Sequence, residues 1–232
     1  MMKRLYKDVS TYTSPEGFGV ALDGKPLRSP AGAPLLMPSQ ALAEAVAQEW
    51  RCQGDTVQPH SMPLMRLVST AIDITDKRCD DVIGEILAYA ETDLVSYRAP
   101  EPPELAAKQQ ELWQPLVDWA MLRFDAPLAV TSGIIPVPQP DEALTAFTAA
   151  IAAYDTMLLT ALHAATQVLG SLVLALALIE TRLDAEAAFA ASQLDENFQI
   201  EKWGEDQEQA ERRAALREDL GTMVRFIQLA RQ

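Results

Sequence analysis

Residues 194–218 read LDENFQIEKWGEDQEQAERRAALRE, a stretch dense in carboxylates around two aromatics, Phe198 and Trp203, with no histidine or cysteine. Carboxylates gathered in this way can hold a metal, move a proton or select a basic partner. A di-metal helical bundle needs Glu-x-x-His pairs on facing helices, and the chain contains none. The alternating Asp/Asn spacing of a calcium loop, closed by glycine, is also missing. Residue type alone leaves two options open: paired acids in general acid–base work, and a soluble helical enzyme using the carboxylate cluster with a bound ligand or metal. Read as one helix, the stretch puts Asp195, Gln199 and Asp206 on one side with Trp203 beside them. Glu201 and Glu205 fall on another side, and Glu208 sits four residues before Arg212 as a favourable pair. Runs of charge are commonly solvated faces. A large aromatic among acids also suits a binding surface, where the ring anchors and the acids choose a basic partner. Both readings stand at this point.

Other chemistry lacks its parts. GVALDGKP, residues 19–26, nearly matches the phosphate loop G-x-x-x-x-G-K-S/T. Pro26 replaces the hydroxyl that would hold magnesium, and no helix follows to aim its N-terminus at phosphate. The stretch reads instead as a hairpin turn. The two histidines are His60, in QPHSMP, and His163, in an apolar helix where it reads as a hydrogen-bonded core residue. Ser171 follows Gly170, but VLGSLVL lacks the nucleophile elbow. No catalytic residue, cofactor or metal is expected.

The elements that position these residues follow from periodicity. The first 38 residues read as a small, irregular antiparallel sheet: Asp23-Gly24 is a hairpin turn, and Pro26, Pro30, Pro34 and Pro38 confine pairing to edges and turns. Ser39 reads as the N-cap of a helix that stacks Leu42, Val46 and Trp50. PLMRLVSTAIDIT and CDDVIGEILAYA continue in helical period, the latter placing Cys79 on an apolar face as a buried thiol. Residues 91–103 read as loop. A helix from Glu104 aligns Leu105, Leu112, Leu116 and Trp119, with Pro115 as a kink. After an extended excursion comes an Ala/Leu-rich helical region, 141–180, interrupted near Gly170. Gly170 and Ser171 are small enough to let another helix close in, in which case Gly170→Leu would overpack the core. Asp184 caps a further helix, and a last one carries Leu216, Leu220, Met223, Val224 and Ile227.

Bulk properties bound the function. The 232 residues are 49% hydrophobic, enough for one large core or two small ones. A formal net charge of -14 disfavours nucleic acid and anionic membrane surfaces. VLGSLVLALALI, residues 168–179, falls short of the roughly 20 apolar residues that span a bilayer, so no membrane insertion is expected. Two cysteines outside any C-x-x-C pair fit a reducing compartment. MMKRLYKDVS resembles neither a signal nor a transit peptide, and the expected location is the bacterial cytoplasm.

Several stretches taken together resemble the assembly chaperones of the alpha subunit of the F-type ATP synthase, a family of mitochondria and related bacteria. They are LDGKPLRSPAGAPLLMPSQALAEAVAQEW, MPLMRLVSTAID, DLVSYRAP, WQPLVDWA, GSLVLALAL and DENFQIEKWGED, in the family's order over nearly the whole chain. Met65, Val68 and Ser69 stand where the family carries more polar or smaller residues, and Phe198 stands where it carries tryptophan. The resemblance implies an α+β fold: a small N-terminal β-containing domain, residues 1–60 or as far as about 100, then a C-terminal orthogonal α-helical bundle, 61–232. It implies a chaperone, not an enzyme, that binds unassembled alpha subunit as a monomer and assists assembly of the catalytic head. It points to Glu196, Gln199, Glu201, Trp203, Glu205 and Asp206 as the partner-binding residues.

Overall fold

The computed structural model describes residues 2–133 and 135–232. The chain divides into two compact units. One is the chain up to Cys79 with Asp155–Ala161 and Arg225–Gln232; the other is Asp80–Tyr154 with Leu162–Val224. Strands sit at the N-terminal end and helices dominate the rest, so the fold is α+β, as the sequence leads one to expect.

In the first unit, β1 (Met2–Lys3) is followed by a hairpin of β2 (Val9–Ser14) and β3 (Gly17–Leu22), paired from Ser14↔Gly17 to Val9↔Leu22. The near-phosphate-loop is the next turn, joining β3 to β4 (Lys25–Pro26). Asp23 and Gly24 both take positive φ, 48° and 74°, as a two-residue hairpin turn requires. The Asp23 carboxylate accepts the amides of Lys7 and Asp8 at 3.0 and 2.8 Å, and these bonds, Asp8's foremost, hold it below the usual carboxylate range. β5 (Leu36–Met37) pairs with the other end of β3. Ser39 then caps α1 (Gln40–Arg51), accepting the Leu42 amide at 3.0 Å. Leu42, Val46 and Trp50 are buried along α1, which packs on β2 and β3. β6 (Thr56–Val57) pairs with β1.

α2 (Pro63–Thr70) has no side chain of its own to cap it. Glu49 of α1 supplies the cap, its two carboxylate oxygens accepting the Leu64 and Met65 amides at 2.8 Å each. Burial pushes the Glu49 carboxyl up, against those two bonds and the nearby Arg225 and Arg66. Beyond Thr70 the helix widens into a π-helical turn, Ala71–Thr75.

The second unit is mainly helical: α3 (Cys79–Glu91, entered from the first unit), α4 (Pro103–Phe124), α5 (Asp141–Ala152), α6 (Thr156–Leu169, whose first residues to Ala161 belong to the first unit), α7 (Leu172–Ile179), α8 (Ala185–Ser192), α9 (Leu194–Trp203) and α10 (Gln207–Ala230, which returns to the first unit from Arg225). α7 is buried on every side, all of Leu172 to Ile179 included. Its lack of any polar face is therefore a matter of position inside the unit. α7 begins where Gly170, at φ 65°, turns the chain and Ser171 accepts the Leu174 amide at 3.0 Å. Beneath this cap lies Asp93, fully buried. It accepts the Ser171 hydroxyl at 2.6 Å, the Val173 amide at 3.0 Å and the Val95 amide at 3.1 Å. Burial outweighs these bonds and pushes the Asp93 carboxyl up to about 6. Trp113 of α4, also buried, donates its indole Nε1 to the Ala191 carbonyl of α8 at 2.9 Å.

Several expectations are corrected. Cys79 is exposed, because it opens α3 before the apolar face of Val82 and Ile86 begins. Leu112 is exposed, since Trp113, Leu116, Val117 and Ala120 define the face that α4 buries. Residues 91–103 are not all loop. A 3-10 turn at Leu94–Ser96 leads into β7 (Tyr97–Arg98), which pairs in parallel with β8 (Thr131–Ser132). The 141–180 region breaks at residues 153–155 as well as at Gly170, because Asp155 caps α6 by accepting the Leu158 amide at 2.9 Å. His163 is half-buried and not a core residue, its Nε2 3.0 Å from Glu85 and 3.2 Å from the Gln167 amide. Gly170 meets no approaching helix, since a Cβ built there has nothing within 4 Å.

Two outcomes follow. Gly170→Ala and Gly170→Leu should cost the same, about 1–2 kcal/mol, because positive φ and not crowding is the obstacle. Denaturant unfolding of the pair checks this; a much larger loss for leucine would mean overpacking. Asp93 holds its proton more tightly folded than unfolded, so the folded state is favoured below about pH 4, and that advantage is lost as pH rises through about 6. Relative to Asp93→Asn, the wild type should therefore gain stability on the order of 3 kcal/mol between pH 7 and 4, read as the difference between two unfolding series.

Candidate partner-binding surface

The acidic stretch is two helices joined at Gly204. α9 ends at Trp203, and Gly204 takes φ 86°, ψ 171°, a conformation open to glycine. The reading of the stretch as one helix does not hold: Asp206 shares no helical side with Asp195, and Glu205 none with Glu201. Asp206 starts α10, accepting the Gln209 amide at 2.8 Å.

α9 is held by its other face. Phe198 is buried, with the Lys108 and Lys202 ammonium groups 5.5 and 4.4 Å from its ring centroid. Gln109 of α4 donates to Asp195 at 2.7 Å, and Lys108 pairs with Glu201 at 2.8 Å. Exposed at both ends, the latter pair stabilises by at most about 1 kcal/mol. Arg213 of α10 reaches back to Glu205 at 3.0 Å and to the Asn197 carboxamide at 2.6 Å, with its guanidinium 5.6 Å from the Phe189 ring. The expected Glu208–Arg212 pair does not form within 4 Å among the described residues. Nearby, Arg213 pairs with Glu205 and Arg217 with Glu186.

The six residues singled out from the sequence thus have unequal duties. Glu201, Glu205 and Asp206 each hold a structural contact. Glu196 is half-buried in the first turn of α9 and Gln199 is exposed; neither makes a side-chain hydrogen bond among the described residues. Trp203 is 77% exposed, whereas Trp50 and Trp113 are buried and Trp119 is half-buried. Lys108 and Arg213 were missed in the sequence. Lys108 lies on a different helix and Arg213 sixteen residues past Asn197, so no local spacing pointed to either.

Among the described residues, no group of three or more His, Cys, Asp or Glu could hold a metal ion, and no helix is long and apolar enough to cross a membrane. An exposed tryptophan thus stands at the junction of α9 and the 24-residue α10, among acidic side chains. Comparison with known proteins gives the chain a family. A model of the ATP12 chaperone protein matches residues 3–121. The crystal structure of Atp12 from Paracoccus denitrificans superposes with a TM-score of 0.94 at 40% identity, covering 99% of this chain and 98% of that one. A candidate chaperone from Agrobacterium tumefaciens superposes with a TM-score of 0.92 at 41% identity, over 98% of this chain and 85% of that one. The mitochondrial protein atp12 of Schizosaccharomyces pombe is 25% identical over 214 residues, 87% of this chain and 74% of its own. The chain belongs to the ATP12 family, chaperones of ATP synthase assembly.

Proposed function

We propose that the chain binds the unassembled alpha subunit of the F-type ATP synthase, as a monomer and without catalysis, and that Trp203 and the acids around it form the client surface. The observation that carries this reading is the exposure of Trp203 at a glycine-fixed helix end, in a chain of the ATP12 family. Burying a large ring against a client releases ordered water from both surfaces. Exposed carboxylates on either side give on-rate and partner choice without excessive affinity, as suits a chaperone that must let go. Glu196, Gln199 and Glu201 lie on α9, while Glu205 and Asp206 fix how α10 leaves it.

Those structural duties decide the test. Glu205 and Asp206 are left intact, because reversing them would disturb Arg213 and the α10 cap. Glu196→Lys combined with Glu201→Lys should weaken alpha-subunit binding, most strongly at low salt. Trp203→Ala should cost about 2 kcal/mol or more of binding while shifting folding stability by no more than about 0.5 kcal/mol. Titration of purified alpha subunit, with thermal melts of the same variants, measures both. Wild-type affinity in both the double variant and Trp203→Ala at low salt would sink the proposed surface.

A further inference from the structure

The first unit contains a pocket of about 650 Å³. Its walls include Leu27, Val57, Met62, Met65 and Ile74, with Trp50 of α1 among them.

The charged groups on the wall are not balanced. Asp73 is already engaged: it accepts the Ser29 hydroxyl at 2.6 Å and the Ala31 amide at 2.9 Å, and Lys77 lies 4.0 Å away. Arg28 gives one guanidinium nitrogen to the Gly32 carbonyl at 2.8 Å and keeps further donors. Arg66 is exposed and makes no ion pair or side-chain hydrogen bond among the described residues. Arg28 and Arg66 stand against Asp73 on the wall, with Glu49 behind it near enough to feel the Arg66 charge. An occupant suited to this wall is apolar in body and carries a negative charge at its edge.

We propose that this pocket docks an apolar polypeptide segment with an acidic residue beside its apolar side chains. One apolar side chain enters between Met62 and Met65, whose unbranched thioethers adapt to different shapes. The acidic side chain meets Arg66, with Arg28 in support. The segment belongs to the client assigned above, and to that extent the inference rests on that reading. The site is distinct in sign from the Trp203 surface: one selects basic residues, the other an acidic one.

The test uses the full chain and two blocked hexapeptides, acetyl-Ser-Leu-Glu-Phe-Leu-Ser-amide and its counterpart with lysine in place of glutamate, titrated by calorimetry at low salt. The glutamate peptide should bind about five-fold or more tighter than the lysine peptide. Arg66→Glu should invert that order, and Met65→Asp should weaken both peptides about ten-fold, with melting curves confirming that each variant is folded. Equal affinity for the two peptides, or an order unchanged by Arg66→Glu, overturns the proposal. So does dodecanoate displacing the glutamate peptide at lower concentration than the peptide itself requires, which would make the pocket a site for a small amphiphile. Alpha-subunit binding is measured alongside. If wild type binds the alpha subunit but the peptide preference is absent, the docking site falls and the client reading stands. If the peptide preference is present and the alpha subunit does not bind, the client reading falls.

Discussion

The backbone amides that open a helix have no partner within it, and at several helices of this chain carboxylates supply the missing acceptors. Asp155, Asp184 and Asp206 cap α6, α8 and α10 from the residue where each helix begins. Glu49 and Asp93 do the same from a distance, for α2 and α7 respectively. Away from helices, Asp23 fastens the start of β2 to the hairpin turn, and Asp73 pins the loop at Ser29 and Ala31. Each charge-assisted bond also suits the positive end of a helix or turn. Much of the acidity that looks like a reactive or solvated excess is therefore structural.

The distant caps do more than the local ones, because they tie segments far apart in sequence. Asp93 is 78 residues from Ser171, and the bond between them fixes where α7 starts relative to the chain leaving α3. With that start set, the fully apolar α7 occupies the interior of its unit, next to α4 and α8. Trp113 joins the same two helices by an indole-to-carbonyl bond. α9 follows α8 almost without a linker, so the orientation of Phe198 inward and Trp203 outward descends from that packing. The opposite fates of the two aromatics in the acidic stretch reflect a helix held on one side only.

Local rules were legible in the sequence. Ser39, Asp184 and the Asp23-Gly24 turn behave as their residue types require, and the break at Gly170 lies where glycine suggests it. The α+β class and the family were legible too, the latter through resemblance spread over nearly the whole chain. What escaped was decided by distance or by one residue of phase. Leu112 and Trp113 are neighbours, and periodicity chose the wrong one to bury because Pro115 and the mixed apolar pattern of α4 leave the face ambiguous. The β7–β8 pairing joins two-residue strands more than thirty residues apart, too short for alternation to announce. In the candidate surface, the presence of Trp203 and its acids could be read directly. The partners of those acids, Lys108 and Arg213, come from other turns and helices and could not. Gly204 was visible as a glycine, yet its power to split one helix into two depended on α10 having a capping aspartate ready.

The first unit includes Arg225–Gln232, where Ser39 donates its hydroxyl to the Leu229 carbonyl 190 residues later. The second unit is made of chain that emerges in between. Sequential completion, each unit finished before the next is synthesised, is thus closed to this protein. The sheet and α1 lack part of their own surface until Arg225–Gln232 has been made. A unit that opens with the sheet is thus closed by a segment more than 200 residues further along the chain.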